Sequence, residues 1–391
     1  MNSEVKLSDF ETTATRLVEA GKAPGVAAMV ADESRVLYRW VTGFADIEKQ
    51  QRLQVDDVFF IASMTKIVTA LACVQLVEQG RLGLEEDASA IVPEMVVKVL
   101  TGFDVNGQPM LREPKRKVTV RHLLTHTSGQ TTDLWNPDTI RYIEAMKLPP
   151  VPGCRPEAFM TPLVFDPGEG WEYGVGSDRV GRIVEKVSGQ RLADYFKEHI
   201  FGPIGMMETS FILSPAQRAT LAPVQIRQPD GRFKLSGFEV SQTPEMYMGG
   251  AGLYGTAPDY IRFLQVFLND GRGAHGQVLK PETVQLFTAN HIGDMEWPGM
   301  KSAIPAMTAD VQLLPGMPKR WSLGALRNEA DVPGRRKAGS QFWAGLSNTY
   351  FWVDLTSKLC GVTASAYFPF ADPPAIEIFD ALERDSYRAF R

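Results

Sequence analysis

At 391 residues, 44% hydrophobic and 22% charged, the chain is too long for one ordinary core and too apolar for disorder on a large scale, so a soluble globular protein of two lobes is expected. A net charge of −5 argues against a nucleic-acid partner, and the local basic run from Arg112 to Lys117 reads as a solvated loop. The N-terminus lacks a secretory pattern and the longest apolar stretch, Ile67 to Val77, is too short to cross a bilayer, so no membrane partner is expected and the location is cytoplasmic by default.

In chain order, residues 7–20 read as an opening helix. Gly25 to Val30 and Arg35 to Val41 then read as a β-hairpin turning at Asp32-Glu33-Ser34. Ile67, Ala70, Leu71, Val74 and Val77 keep helical spacing until Gly80 supplies a stop. From Glu85 to about Phe211 helical pieces alternate with long connections at 102–117, 130–138 and 148–171, which at such length are functional or mobile. Arg179 to Phe196 has helical periodicity broken at Gly189, and a Gly cluster at 249–255 leads into a helix over Ala257 to Leu268 with Pro258 in its first turn. After a Pro- and Met-rich stretch at 292–319, strand-like runs occupy Thr349 to Asp354 and Leu359 to Tyr367, and an amphipathic helix over Ala375 to Phe390 ends the chain. Strands at both ends imply one sheet domain built from 1–75 and 245–391, with a mainly helical domain, 76–244, inserted.

The tetrapeptide Ser63-Met64-Thr65-Lys66 sets a hydroxyl and an amine one turn apart at the start of the apolar helix, where the positive end of the dipole favours a developing negative charge. A second S-x-x-K, Ser3-Glu4-Val5-Lys6, has no apolar run behind it and reads as accident. A serine nucleophile needs a base, oxyanion donors and an acid for the leaving group. His122 and His126 are four apart, but no Glu follows the first, so they read as hydrogen-bonded structural residues rather than a zinc pair. No G-x-S-x-G occurs, which removes the nucleophile-elbow hydrolases. The three cysteines, Cys73, Cys154 and Cys360, lack metal or redox spacing and read as buried thiols, and neither metal nor cofactor is expected.

The runs GRLGLEEDASAIVPEM, VTVRHLLTHTSG, VGRIVEKVSGQRLADYFKEHIFGPIGM and GGAGLYGTAPDYIRFLQVFL follow one another along most of the chain. Their order resembles the serine β-lactamase/penicillin-binding-protein superfamily, and within it the class C β-lactamase-like carboxylesterases (family VIII) and acyltransferases of the lovastatin side-chain type. The resemblance implies an α/β (α+β, two-domain) fold, an antiparallel sheet flanked by helices with an inserted mainly helical domain. It also implies that Ser63 and Lys66 work with Tyr173, from Trp171-Glu172-Tyr173-Gly174-Val175. Val175 stands where β-lactamases usually carry an Asn that contacts the substrate amide, and it can neither donate nor accept. For the superfamily's third motif, K-T-G, two stretches compete. Trp343-Ala344-Gly345 ahead of a strand matches the esterase pattern better than Lys337-Ala338-Gly339, which leaves Lys337 as a solvated loop charge. By the same match the backbone N–H groups of Ser63 and Leu346 form the oxyanion hole.

Free phenols and free lysine amines both titrate near 10, so either base needs help. A lysine cation beside the phenol would favour tyrosinate, and a desolvated neutral Lys66 is the alternative. In both cases an acyl-enzyme on Ser63 follows, and Tyr173 returns the proton to the departing alkoxide. Trp343 and Ala344 offer neither cation nor hydroxyl for a β-lactam carboxylate, so a small neutral ester is the expected partner. Trp343, Phe342, Trp135, Tyr254 and Phe165 are available for an apolar pocket. Short acyl chains are expected because no lid-like segment is evident. An acyltransferase, a weak β-lactamase or amidase, and a catalytically dead binding homologue are the alternatives; intact Ser63, Lys66 and Tyr173 argue against the last.

Overall fold

The computed structural model describes residues 5–95 and 97–391; Ser3 and Glu4 of the second S-x-x-K lie outside the described residues. Asp32 starts the fold locally: its Oδ1 accepts the N–H groups of Ser34 and Arg35, turning strand Gly25–Asp32 into Val36–Asp46. These two strands join segments from the far end of the chain in one sheet. Its order is Lys319–Trp321, Leu326–Asn328, Gln341–Gly345, Thr349–Asp354, Leu359–Ala364, Gly25–Asp32, Val36–Asp46 and Gln51–Arg52, every neighbouring pair antiparallel.

Helices cover both faces, which explains the apolar run from Tyr350 to Val353 within strand Thr349–Asp354, buried at every position. Tyr350 and Trp352 point to the C-terminal helix Pro373–Phe390 and pack on Phe379, with ring centroids 5.2 and 5.7 Å away. Phe351 points the other way, onto Tyr260 of helix Ala257–Leu268 at 5.4 Å. The period-2 alternation thus persists with two cores instead of one core and solvent. Gly361 is required opposite Trp352, because a Cβ there would lie 2.1 Å from the indole. Behind helix Ala257–Leu268, helix Thr65–Glu78 is buried on every side from Thr65 to Leu76. Its one long amide, Gln75, donates to the carbonyls of His199 and Val278.

The 102–117 connection is not loop throughout. Strands Val99–Phe103 and Pro109–Arg112 pair across an Asp104–Gly107 turn in a two-stranded ribbon. Its side chains are largely exposed, so it lacks the apolar alternation that marks a strand in sequence. The basic run that follows is largely exposed, as expected, and forms ion pairs. Arg112 binds the buried Asp166 carboxylate with both terminal nitrogens (2.9 and 2.7 Å), and Lys115 pairs with Asp166 and Glu169. These charges tie down the loop that carries Tyr173, and they hold the Asp166 carboxyl well below the usual carboxylate range. All three cysteines are buried and free. Among the described residues no helix is long and apolar enough to cross a membrane.

Candidate active site

Ser63 sits in a single 3-10 turn, Ala62–Met64, directly before helix Thr65–Glu78 and not in that helix's own first turn. The turn is strained and clamped. Ala62 has φ 45°, a conformation that costs a non-glycine residue about 1–3 kcal/mol. Tyr260 donates from its hydroxyl to the Met64 carbonyl, and Thr65 Oγ1 accepts the Leu253 N–H, both at 3.1 Å. Lys66 lies one turn on and is 6% exposed. Its Nζ donates to Ser63 Oγ at 3.1 Å and to the Gly250 carbonyl at 2.7 Å, and stands 4.6 Å from the centre of the Tyr173 ring.

Tyr173 is buried at the end of the loop anchored by Asp166, where Glu172 and Gly168 donate their N–H groups to the carbonyls of His126 and Thr127. Its ring is packed by His126 (4.5 Å), Trp343 (5.1 Å) and Trp171 (6.3 Å). The Trp343 indole N–H donates to the Tyr173 hydroxyl oxygen at 2.9 Å. His126 Nδ1 accepts the Gly174 N–H at 3.4 Å, and burial together with the Lys66 charge holds its pKa well below the ordinary histidine value. His122 caps its own helix with Thr119, and no metal-type cluster occurs among the described residues.

The strand end Ala344-Gly345-Leu346 abuts the Ser63 turn. Ser347 Oγ donates to the Phe60 carbonyl at 2.6 Å, and a Cβ on Gly345 would lie 2.3 Å from the Ile61 carbonyl oxygen, so only glycine allows this approach. The N–H groups of Ser63 and Leu346 donate to no main-chain carbonyl among the described residues. Ser63, Lys66, Tyr173, Val175, Trp343, Ala344 and Leu346 all face one cavity of about 240 Å³. A separate cavity of about 330 Å³ beside the basic run holds none of them.

Of the aromatic residues expected at the pocket, Trp135 and Trp343 line it; Phe342, Tyr254 and Phe165 do not. Phe342 packs under the Arg336 guanidinium, and Tyr254 packs on Phe60 and accepts the Val240 N–H. Phe165 lies against Gly170 in the anchored loop. Lys337 pairs with Asp331 away from the cavity. Met300, Ile304 and Met307 also line the cavity, so the Pro- and Met-rich stretch forms one of its walls. Sequence reading missed Asp178, a buried carboxylate in the same cavity, whose position five residues after Tyr173 is the one signal that pointed to it.

The Beta-lactamase family model matches residues 10–383. The chain belongs to the beta-lactamase family. This family member is 31% identical to a lovastatin esterase of Penicillium rubens, over 97% of this chain and 98% of the relative. It is 30% identical to the acyltransferase calJ of Penicillium decumbens, over 91% and 87% respectively. Among solved structures it resembles the LovD6 mutant of simvastatin synthase from Aspergillus terreus, with TM-score 0.83 and 28% identity, covering 100% of this chain and 99% of the other. The fold expected from the resemblance is the fold found, and the protein is an enzyme of the serine-hydrolase type.

Proposed function

We propose that this beta-lactamase family member is a carboxylester hydrolase that forms an acyl-enzyme on Ser63. The observation that carries the reading is the Ser63–Lys66–Tyr173 arrangement inside a single apolar cavity, with Lys66 Nζ 3.1 Å from Ser63 Oγ and over the phenol ring. Tyr173, steadied by the Trp343 indole and the Lys66 cation, takes the Ser63 proton as its oxygen attacks the ester carbonyl. The N–H groups of Ser63 and Leu346 hold the oxyanion, and Tyr173 hands the proton to the departing alkoxide. Water then releases the acid.

The substrate is a neutral ester with a bulky apolar half. Lys66 is the one cation among the cavity's lining residues, and it is already engaged with Ser63 and Gly250, while Asp133 and Asp178 are acids. A free carboxylate on the substrate would find no partner there, which disfavours β-lactams. The expectation of short chains rested on the lack of a covering segment, but Met300, Ile304 and Met307 supply a flexible apolar wall suited to irregular groups. The relatives named as a lovastatin esterase and an acyltransferase support ester chemistry. Acyl transfer is the second reading, favoured by the apolar cavity, which admits an alcohol more readily than it orders water.

Kinetics on p-nitrophenyl acetate, p-nitrophenyl 2-methylbutyrate and nitrocefin, each with and without an added alcohol, test the reading. Higher kcat/KM for the branched ester and negligible nitrocefin turnover are expected. Preference for acetate or rapid nitrocefin cleavage would refute the substrate class.

A further inference from the structure

Asp178 opens helix Gly176–Ser188, is 4% exposed, and faces the cavity shared by Ser63 and Lys66. Its Oδ1 accepts the Gly250 N–H at 2.9 Å, and the carbonyl of the same glycine accepts from Lys66 Nζ at 2.7 Å. A Cβ at position 250 would lie 2.4 Å from Asp178 Oδ2, so glycine is what lets the carboxylate come this close. The neighbouring Gly249 is fixed as well: Thr69 Oγ1 donates to its carbonyl at 2.6 Å, and a Cβ there would meet the Ser177 carbonyl oxygen at 2.6 Å. The Gly249-Gly250 segment is therefore wedged between helix Thr65–Glu78 and helix Gly176–Ser188, joining a carboxylate on one to an ammonium on the other.

A buried ammonium needs a counter-charge as well as hydrogen-bond acceptors. The charged and titratable groups that act on Asp178 are Lys66, Arg179 and Cys154. Arg179 gives its terminal nitrogens to the carbonyls of Met95 and Phe159 and so acts on Asp178 by charge without a hydrogen bond, and the Cys154 thiol is pushed up to about 12 by burial; Lys66 acts on Asp178 more strongly than Arg179 does and is the cation that shares the cavity with it.

We infer that Asp178 is a positioning residue for the reaction: through Gly250 its carboxylate fixes Lys66 against Ser63 and supplies that ammonium's counter-charge. This role rests on Ser63 being the nucleophile. Burial pushes the Asp178 carboxyl up to about 6, against the pull of Lys66 and the Gly250 N–H, so the counter-charge is lost as the pH falls through that value.

The test compares full-length wild type, Asp178→Asn, which keeps an acceptor for Gly250 without the charge, and Asp178→Leu, which keeps neither. Steady-state kinetics on p-nitrophenyl 2-methylbutyrate from pH 5 to 8 are read beside the rate at which a fluorophosphonate labels Ser63. Expected are losses in kcat of about tenfold for Asp178→Asn and about 100-fold for Asp178→Leu, as for a displaced catalytic group, with KM within about twofold. Labelling of Ser63 should slow in parallel, and the acidic limb of the wild-type profile near pH 6 should vanish in Asp178→Asn. Should Asp178→Leu fail to fold, the isosteric Asp178→Asn decides alone. Wild-type kcat in Asp178→Asn, a change confined to KM, or an unchanged acidic limb overturns the assignment. Failure of wild-type Ser63 to take the label would instead overturn the nucleophile reading beneath it.

Discussion

Replacing Trp343 by Phe isolates the hydrogen bond on which Tyr173 depends. The substitution keeps an aromatic ring beside Tyr173, now 5.1 Å from it, and beside Trp321, now 4.7 Å, but removes the indole N–H that donates to the phenol oxygen at 2.9 Å. While Tyr173 takes and returns a proton, its oxygen carries negative charge, and a buried hydrogen bond to a charged acceptor contributes about 1.5–3 kcal/mol. At about 1.4 kcal/mol per tenfold, kcat/KM should fall by roughly 10- to 150-fold. The smaller ring also leaves a void that lowers stability, so the rate is compared in two backgrounds. With Tyr173 intact, Trp343→Phe should slow ester turnover and Ser63 labelling by that factor. With Tyr173→Phe already present, it should change the labelling rate by less than about twofold, since coupled residues fail to add. Equal losses in both backgrounds, or no loss in the first, would refute the role given to the indole.

Gly345→Ala should cut kcat by about 100-fold or more, the scale of losing an oxyanion donor, because its methyl would press on the Ile61 carbonyl and the Thr349 hydroxyl and drive the Leu346 N–H from the Ser63 turn; unchanged turnover would disprove that placement. Glu383→Gln breaks the fully buried, two-pronged pair with Arg336 (2.7 and 2.6 Å) that pins the C-terminal helix, and should cost about 3–5 kcal/mol by denaturant titration with kcat per folded molecule unchanged. Arg336→Met with Glu383→Leu should restore most of that stability. The pH dependence of stability has a definite sign at Asp178. Its folded pKa of about 6 exceeds the ordinary 3.8, so its contribution is full below the ordinary value and is lost as pH rises through 6. At 1.36 kcal/mol per unit, wild type should lose about 2 kcal/mol relative to Asp178→Asn between pH 4 and 6; a flat difference over that window would contradict the burial assigned to this carboxylate.

Elements specified by local chemistry were legible in the sequence. Helix Ala257–Leu268 announces itself through Pro258 in the first turn, and the structure adds a Thr256 cap; the Gly189 break at φ 80° ends helix Gly176–Ser188 where the periodicity lapses. The Val99–Arg112 ribbon was not, because its exposed faces carry no core pattern. Ser63 and Lys66 became candidates through their spacing together with the apolar helix behind them, which the Ser3 copy lacks, and the family resemblance corroborated them, whereas Tyr173, Trp343 and Leu346 became candidates only through that resemblance, since nothing local marks them. Asp178 and Gly250 meet across 72 residues, a juxtaposition no periodicity encodes. The Met300 to Met307 wall is irregular backbone with no amphipathic periodicity, so nothing in the sequence marked it as part of the pocket.

The central claim is that Ser63 carries the acyl group. Wild type and Ser63→Ala are mixed with p-nitrophenyl 2-methylbutyrate, quenched in acid within the first turnovers, and read by intact-protein and peptide mass spectrometry. One added methylbutyryl mass on the peptide holding Ser63, absent from Ser63→Ala together with ester cleavage, is the expected result. Cleavage at the wild-type rate by Ser63→Ala, or an acyl group found on another residue, would contradict it.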